Sequence, residues 1–315
     1  MTESSSAQHV LVTGGTGFVG RAVVAEFLRR GARVTVVDRV PFAATPGVRS
    51  VVGELTDDAV LDEAVTTGLT GVVHLAAITS VLRSAEAPQQ TFEVNVAVTQ
   101  ALLERCRERG VGRFLMASTN AVVGDVGHRT ITEDIPLRPL TPYGATKAAC
   151  EMLLSGYAGA YGLATCALRF TNIYGPGMEA KDSFVPRLMR AALAGDGVQV
   201  YGDGLQVRDL VHVSDVVSGV LAAWDRQYTG TVIIGSGRSV SVLDLVAAAR
   251  ECTRADLLAE HIPAKQGEMP AVIVDIAKAR AELGYAPKFS LVEGLRTVWE
   301  DFLAHEPGAA RPVSV

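Results

Sequence analysis

Hydrophobic residues follow two alternating patterns over the first 170 residues of the chain. Short runs that are apolar throughout and rich in β-branched residues predict strands buried on both faces. Apolar residues spaced three and four apart predict helices. The predicted strands are 9–13, 33–38, 48–53, 72–76, 113–117 and 165–170, and the main helices are 20–30, 88–109 and 142–161. Strands that alternate with helices imply right-handed βαβ units and a doubly wound parallel sheet.

The pattern changes after Asn172, where glycine and proline become frequent. Further helices are predicted at 213–223, 241–250, 276–283 and 291–303, together with a strand at 231–234. We expect the helix at 213–223 and the strand at 231–234 to return to the first sheet. The other late segments would then build a smaller C-terminal α/β lobe.

Composition excludes several functional classes. The chain has 315 residues, 48% of them hydrophobic, which is enough to form a large buried core. Its formal net charge of -5 does not predict a nucleic-acid partner. No apolar run approaches the roughly 20 residues of a membrane span. The polar start, 1–8, lacks the apolar core of a signal peptide. The four cysteines have no metal-like spacing, which predicts no metal site and, by default, a cytoplasmic protein.

A glycine-rich segment, TGGTGFVG, lies directly between the first predicted strand and helix. Its glycines at 14, 17 and 20 satisfy the GxxGxxG spacing of a dinucleotide-binding turn. Such a turn needs glycine for its tight bend, for backbone contact with a pyrophosphate and for close packing of helix on strand. The free N–H groups at the start of the helix would bind the pyrophosphate. The sequence therefore predicts a Rossmann-type dinucleotide-binding site.

An acidic residue at the end of the second predicted strand selects the cofactor. Asp38 lies 18 residues after Gly20, where a carboxylate can accept hydrogen bonds from a ribose 2′-hydroxyl. The same carboxylate would repel a 2′-phosphate, so NAD is predicted over NADP. Arg39 follows directly, and because an arginine can accommodate a 2′-phosphate, NADP stays possible as the cofactor.

A second segment, TPYGATK, predicts the chemistry. Pro142 suits the first position of a helix, and Tyr143 and Lys147 then share one face, four residues apart. A neighbouring ammonium and a positive nicotinamide both favour the phenolate, which could act as a general base on a hydroxyl.

These segments give the chain its resemblance to the extended short-chain dehydrogenases/reductases of the NAD-dependent epimerase/dehydratase family. The resemblance extends over nearly the whole chain. It includes TGGTGFVG, HLAA, ASTNAVVG, TPYGATK, LRFTNIYGPG and VYGDGLQVRDLVHVSDV.

The resemblance assigns roles to further residues. Thr119 holds the place of the catalytic Ser/Thr, with Ser118 as a possible helper at the substrate, and Lys147 would also hold the nicotinamide ribose. Asn95 would support the site from within the sheet, whereas His74 is interpreted as a structural histidine. The residues predicted to bind NAD are Gly14, Gly17, Phe18, Val19, Asp38, Arg39, Glu54, Leu55, Ala76, Ala77, Tyr143 and Lys147.

The resemblance also implies a nucleotide-sugar substrate. Asn172 and Arg208 resemble the family's diphosphate-binding residues, and Lys265 stands where relatives often have a second arginine. Arg208 could instead form a salt bridge with Asp209 or Asp215. On this basis 1–175 form the NAD-binding domain with returning segments at about 209–250. Residues 176–208 and 251–305 form the substrate lobe, and 306–315 a flexible tail.

The segment ASTNAVVG limits which reactions of the family are expected. Dehydratases and decarboxylases of the family tend to carry an acid two positions after the catalytic Thr, where this chain has Ala121. Without that carboxylate, epimerisation at C4 through a transient 4-keto sugar is the leading hypothesis.

Two other interpretations stay open. The first is an NAD-dependent dehydrogenase of a non-nucleotide sugar acid or hydroxy compound. The second, a redox-sensing regulator, is disfavoured by the intact Thr119, Tyr143 and Lys147. Family resemblance also implies a homodimer, built through the helices at about 88–109 and 142–161.

Overall fold

The computed structural model describes residues 8–264 and 269–305. Its strands are β1 (His9–Thr13), β2 (Arg33–Asp38), β3 (Val48–Val52), β4 (Gly71–His74), β5 (Arg113–Thr119), β6 (Thr130–Ile131), β7 (Ala164–Phe170), β8 (Asn172–Tyr174), β9 (Val198–Tyr201), β10 (Val207–His212), β11 (Gly230–Ile234), β12 (Ser239–Ser241), β13 (Ala259–Ile262) and β14 (Ile273–Val274). Its α-helices are α1 (Phe18–Arg29), α2 (Asp58–Ala64), α3 (Val81–Glu86), α4 (Pro88–Phe92), α5 (Val98–Arg109), α6 (Pro142–Tyr161), α7 (Phe184–Ala194), α8 (Val213–Asp225), α9 (Val242–Thr253) and α10 (Leu291–His305). Shorter helical segments are π-helical at Glu93–Ala97 and Ala279–Leu283 and 3-10 at Asn120–Val123.

The central sheet has seven strands in the order β11-β7-β5-β4-β1-β2-β3, and all its neighbours are parallel. The predicted α/β fold, a Rossmann-type doubly wound sheet, is confirmed. The chain winds outward from β1 in one direction to β3 and in the other from β4. The carboxyl ends of β1 and β4 therefore border the crevice where such sheets bind ligands.

Two apolar cores cover the faces of this sheet. One packs β-strand residues against α1 and α8 through Phe27 and Trp224, whose rings meet edge to face with centroids 5.0 Å apart. The other packs the opposite face against α5 and α6 through residues such as Leu102 and Leu154. Apart from the edge strand β3, which is mostly exposed, the strands are buried on both faces, which explains their continuous apolar sequences.

The second half of the chain contributes to both parts of the molecule. As predicted, β11 returns to the central sheet, where it pairs with β7. A third apolar core joins α7, α9 and α10 through residues such as Leu188, Val246 and Val298. Helix α9 thus packs in the lobe, although the sequence interpretation grouped it with the returning segments. The exact domain boundaries stay a prediction.

The expectations for the chain ends, for membrane spans and for the cysteines can be compared with the described residues. The polar leader up to residue 7 and the predicted tail at 306–315 lie outside them. Within 8–264 and 269–305, none of the helices has the length and apolar content of a membrane span. All four cysteines are free thiols, and Cys106, Cys150 and Cys166 are buried in the cores.

Candidate active site

The glycine-rich turn connects β1 to α1 and forms one wall of a large cavity. Gly14 has a φ of +68°, and a Cβ there would lie 2.8 Å from the backbone nitrogen of Ala76, two residues after the end of β4. A Cβ on Gly20 would collide with the carbonyl oxygen of Gly14. Helix α1 begins at Phe18, and its N-cap, Gly17, provides no side-chain hydrogen bond. The first N–H groups of α1 are therefore left for an anion in the cavity.

Asp38 is fixed at the end of β2 by this same turn. One carboxylate oxygen accepts hydrogen bonds from the backbone N–H of Thr16 (3.1 Å) and from its hydroxyl (2.5 Å), and the other from the N–H of Arg39 (2.8 Å). A carboxylate has about four acceptor positions, so acceptor capacity remains for ribose hydroxyls. The fixed position of Asp38 fits the predicted preference for NAD.

One cavity brings the predicted residues together. Its volume is about 1550 Å³, above the roughly 300–1,000 Å³ of single-ligand pockets, so it has room for a dinucleotide and a second ligand. Every predicted site residue within the described chain lines it: Gly14, Gly17, Phe18, Val19, Asp38, Arg39, Glu54, Leu55, Ala76, Ala77, Ser118, Thr119, Tyr143, Lys147, Asn172 and Arg208. Their individual roles stay predictions.

The start of α6 places Tyr143 beside Thr119. Thr141 caps the helix by accepting a hydrogen bond from the N–H of Gly144 (3.1 Å), and Pro142 is its first residue. Gly144 lets the helix approach the segment after β5, since a Cβ there would lie 2.7 Å from the carbonyl oxygen of Ala121. The hydroxyls of Tyr143 and Thr119 are hydrogen-bonded to each other.

Burial controls the protonation of this site. It raises the pKa of Tyr143 to about 12, and the hydrogen bond with Thr119 lowers that pKa by a smaller amount. Burial also lowers the pKa of Lys147, whose ammonium donates to the carbonyl oxygen of Ala117 at 2.9 Å. Without further positive charge, Tyr143 is a phenol at neutral pH, so the expected phenolate depends on charge that a cofactor brings.

A buried ion pair lies one helical turn beyond Lys147. Glu151 accepts hydrogen bonds from Arg169 on β7, at 2.7 Å for the closest contact, and from the hydroxyl of Ser118 at 2.5 Å. Both charged side chains are 3% exposed or less. The hydroxyl of Ser118 thus donates a hydrogen bond to Glu151, and its predicted substrate contact stays untested.

Two other polar residues considered in the sequence analysis are buried and hydrogen-bonded. His74 is buried between the hydroxyls of Thr13 (2.7 Å) and Thr99 (3.2 Å), so its interpretation as a structural histidine fits the contacts. The prediction that Asn95 acts from within the sheet is wrong, because Asn95 lies in the π-helical segment Glu93–Ala97. From there its side chain bonds both backbone groups of Ile78 and the hydroxyl of Thr146.

The substrate side of the cavity is formed by the lobe. Arg208 donates to its own chain at the carbonyl oxygen of Val207 (2.8 Å). The two carboxylates considered as its partners accept from other groups: Asp209 from Ser236 and the N–H of Arg238, and Asp215 from the N–H groups of 288 and 289. Lys265 lies outside the described residues.

Lys181 and Asn120 are among the residues of the cavity that the sequence did not indicate. Lys181 follows a glycine-rich turn, and its ammonium lies 4.7 Å from the ring centre of Phe18, at the start of α1. Asn120 follows Thr119 directly and also lines the cavity.

Comparison with known proteins identifies the family. The sequence profile of the NAD dependent epimerase/dehydratase family matches residues 10–235. The chain belongs to this family. It is therefore an enzyme, and the predicted cofactor, NAD, is confirmed. The turn at Gly14, the uncapped start of α1 and the position of Asp38 fit that cofactor.

Members of the family with different reactions are similarly close. A dTDP-glucose 4,6-dehydratase of Streptomyces griseus is 35% identical, with 91% of this chain and 92% of the relative covered. A UDP-glucose 4-epimerase of Corynebacterium glutamicum is 33% identical, with 93% and 94% covered.

Among solved structures, MoeE5 has a closely similar fold. Its complex with UDP-glucuronic acid and NAD has a TM-score of 0.86 and 36% identity, covering 93% of this chain and 98% of MoeE5. The same protein is also known in complex with UDP-glucose and NAD. Family membership leaves the particular reaction and substrate of this enzyme to be argued from the chemistry of its own site.

Proposed function

We propose that this enzyme epimerises a nucleotide-linked sugar at C4 through a transient 4-keto sugar. The observation that carries the proposal has two parts. Thr119, Tyr143 and Lys147 line one cavity, and the segment 118–124, which contains Thr119, has no carboxylate. The acidic residues that line the cavity, Asp38, Glu54 and Glu93, all come from other segments.

Each residue of the site has a distinct task. Tyr143 accepts the proton of the sugar 4-hydroxyl and later returns it, while Thr119 donates a hydrogen bond to the reacting oxygen. Lys147, held by the carbonyl of Ala117, provides a fixed positive charge behind the phenol. When bound, NAD would supply the reversible hydride transfer and, in its oxidised form, a positive charge that favours the Tyr143 phenolate.

Inversion requires the sugar to turn while its nucleotide stays bound. Asn172, Arg208 and Lys181 line the lobe side of the cavity and are our candidates for holding the diphosphate. Arginine and lysine both suit a phosphate, Arg through its planar fork and Lys as a point charge. A cavity larger than one ligand leaves space for rotation of the keto sugar.

A dehydratase is the second candidate, because a dTDP-glucose 4,6-dehydratase is the 35% identical relative described above. That reaction needs a group to remove the C5 proton and to assist loss of water. Ala121 offers no such group, and Asn120 is not an acid. We therefore favour epimerisation over the elimination that a dehydratase catalyses.

The two candidates differ in their product. Purified enzyme would be incubated with UDP- and dTDP-hexoses, and the sugar protons followed by NMR. We expect a second anomeric signal without net NADH. A new methyl signal from a 4-keto-6-deoxy sugar would establish the dehydratase instead, and NADH formed from simple polyols or hydroxy acids would establish a dehydrogenase. In either case the epimerase proposal would be abandoned.

We also propose a homodimer. Helices α5 and α6 pack side by side on one face of the sheet, and α6 exposes Met152 and Tyr161. A second copy would cover these side chains by forming a four-helix arrangement.

A further inference from the structure

A lysine of the lobe lies against the first residue of α1. Lys181 belongs to the segment 175–183, which connects β8 to α7, and its ammonium is 4.7 Å from the ring centre of Phe18. Both side chains line the cavity. An ammonium at this distance from an aromatic ring makes a cation–π contact. The contact joins the lobe to the glycine-rich turn inside the cavity itself.

The backbone that carries Lys181 is held by the rest of the lobe. Its N–H donates to the carbonyl oxygen of Met178 (2.9 Å), which is buried in the third apolar core. Its carbonyl oxygen accepts from the guanidinium of Arg190 on α7 (3.2 Å). The N–H of Gly177 in the same segment donates to Asp301 on α10 (2.7 Å). The segment is thus tied to two helices of the lobe, so the lysine side chain starts from a fixed position.

The charge of Lys181 is not compensated by the protein. Of the acidic residues nearest to it in the sequence, Asp182 pairs with Arg187 (2.7 Å), and Glu179 lies 3.6 Å from a ring nitrogen of His305. Within the described part of the chain, no carboxylate forms an ion pair with the Lys181 ammonium and no group accepts a hydrogen bond from it. Desolvation lowers the pKa of Lys181, and no negative charge opposes this effect.

The start of α1 is positive as well. Its N-cap, Gly17, gives no side-chain hydrogen bond, and its first turn has no acidic residue. The free N–H groups and the helix dipole therefore concentrate positive potential near Phe18. Two positive groups from different halves of the molecule thus border one part of the cavity. A ligand anion would neutralise both, and in a Rossmann fold the pyrophosphate of the dinucleotide binds at the start of this helix.

We propose that Lys181 binds the pyrophosphate of NAD and so holds the cofactor from the lobe side. The N–H groups of α1 would hold the same pyrophosphate from the other side. The inference depends on the cofactor and not on the proposed reaction. Cofactor held by both halves suits a reaction that returns its hydride, because NADH then stays in place between the two half-reactions.

A second pyrophosphate has to be distinguished from that of NAD. The nucleotide sugar would bring its own diphosphate, for which Lys181 is one of the three candidates named above. The decisive measurement is therefore made without any nucleotide sugar. Enzyme loaded with NADH would be mixed with excess NAD in a stopped-flow instrument, and the loss of NADH fluorescence gives the rate of NADH dissociation.

The substitution Lys181→Met removes the charge but keeps a side chain of similar length. We expect NADH to leave this variant about tenfold faster than the wild type, the effect of losing one charge-assisted hydrogen bond. Lys181→Arg keeps the charge and should stay within about threefold of the wild type. Lys288→Met is the matched control, because it removes the same charge from an exposed lysine outside the cavity. It should release NADH as slowly as the wild type.

ADP-ribose identifies the group that is bound. It contains the pyrophosphate but no nicotinamide, so its affinity, measured by calorimetry, should also fall about tenfold in Lys181→Met. Unchanged affinity for ADP-ribose would exclude the pyrophosphate as the partner of Lys181 and overturn the inference.

Two further results would contradict the role of Lys181. Equal rates of NADH release from the wild type and Lys181→Met would overturn the inference, and a loss of UDP affinity in NAD-loaded Lys181→Met would then assign the lysine to the nucleotide sugar. Release from Lys181→Arg as fast as from Lys181→Met would also overturn it, because the charge would not be the cause. None of these measurements involves conversion of a sugar, so a failure of the proposed epimerisation leaves the inference standing.

Discussion

At the scale of single residues, burial has the largest effect on the pKa values of the site. Tyr143 has its pKa raised to about 12 by burial, although a lysine lies one turn away. The site is thus poorly basic until positive charge enters with the cofactor. In the C4 epimerase we propose, this coupling would limit proton removal to the cofactor-bound state.

The first prediction concerns Asp38. The substitution Asp38→Asn keeps the shape of the side chain but removes the charge that would repel a 2′-phosphate. We expect the wild type to bind NAD at least about tenfold tighter than NADP, and the variant to lose most of that preference. Fluorescence titration with both cofactors measures it. Equal affinities of the wild type for NAD and NADP would contradict the role of Asp38.

The second prediction concerns His74. Burial lowers its pKa from 6.5 to about 3, so between these values the unfolded chain binds a proton that the folded protein does not. Stability should therefore fall as pH drops below 6.5, by up to about 2 kcal/mol at pH 5. Urea unfolding of the wild type and of His74→Gln at pH 7 and pH 5 isolates this contribution.

His74→Gln should lose less stability between the two pH values than the wild type does. His128→Gln changes an exposed histidine and should retain the wild-type pH dependence. An identical fall for the wild type and His74→Gln would show that His74 is not the group responsible.

At the scale of elements, α6 connects the proposed catalytic residues to the sheet. Tyr143, Lys147 and Glu151 follow one another at intervals of four on one face of the helix. The first two line the cavity, and the third pairs with Arg169 on β7 beneath it. We therefore expect the positions of Tyr143 and Lys147 to depend on this ion pair, whose two residues do not line the cavity.

The third prediction tests this anchor. Glu151→Gln leaves the guanidinium of Arg169 buried without a countercharge, and we expect the free energy of unfolding to fall by about 3 kcal/mol or more. Glu104→Gln is the matched control, because Glu104 on α5 bonds Arg107 and Tyr157 at the surface. Its loss should stay within about 1 kcal/mol in urea unfolding. Equal losses for the two variants would refute the anchoring role of Glu151.

The sequence predicted the elements well and their long-range partners poorly. Continuous apolar runs placed β1, β2 and α6 at their observed bounds, because burial on both faces and an N-terminal proline act locally. The glycine spacing likewise indicated the cofactor turn. The pairing of Glu151 with Arg169, the π-helical position of Asn95 and the contact of Lys181 with Phe18 depend on tertiary packing, which no local pattern encodes.

At the scale of the whole molecule, the exposed side of α6 is the surface through which we expect two copies of the chain to form a dimer. We expect light scattering at micromolar concentration to give the mass of a dimer. Met152→Arg, which places a charge on that helix, should yield monomers, because an unpaired charge buried in an interface is costly. Leu258→Arg changes a similarly exposed apolar side chain in the lobe and should remain dimeric. A wild-type monomer would exclude the proposed dimer.

The return of α8 and β11 to the central sheet has a consequence for biosynthesis and for protein engineering. The strand that completes the sheet ends at Ile234, far beyond the last residue of the cofactor turn, and the lobe's first segments are made before it. A nascent chain therefore cannot finish its cofactor-binding half until part of the lobe has already left the ribosome. For the same reason, a chimera that joins the first 175 residues of one relative to the remainder of another would build one sheet from strands of two different proteins, with β11 coming from the second.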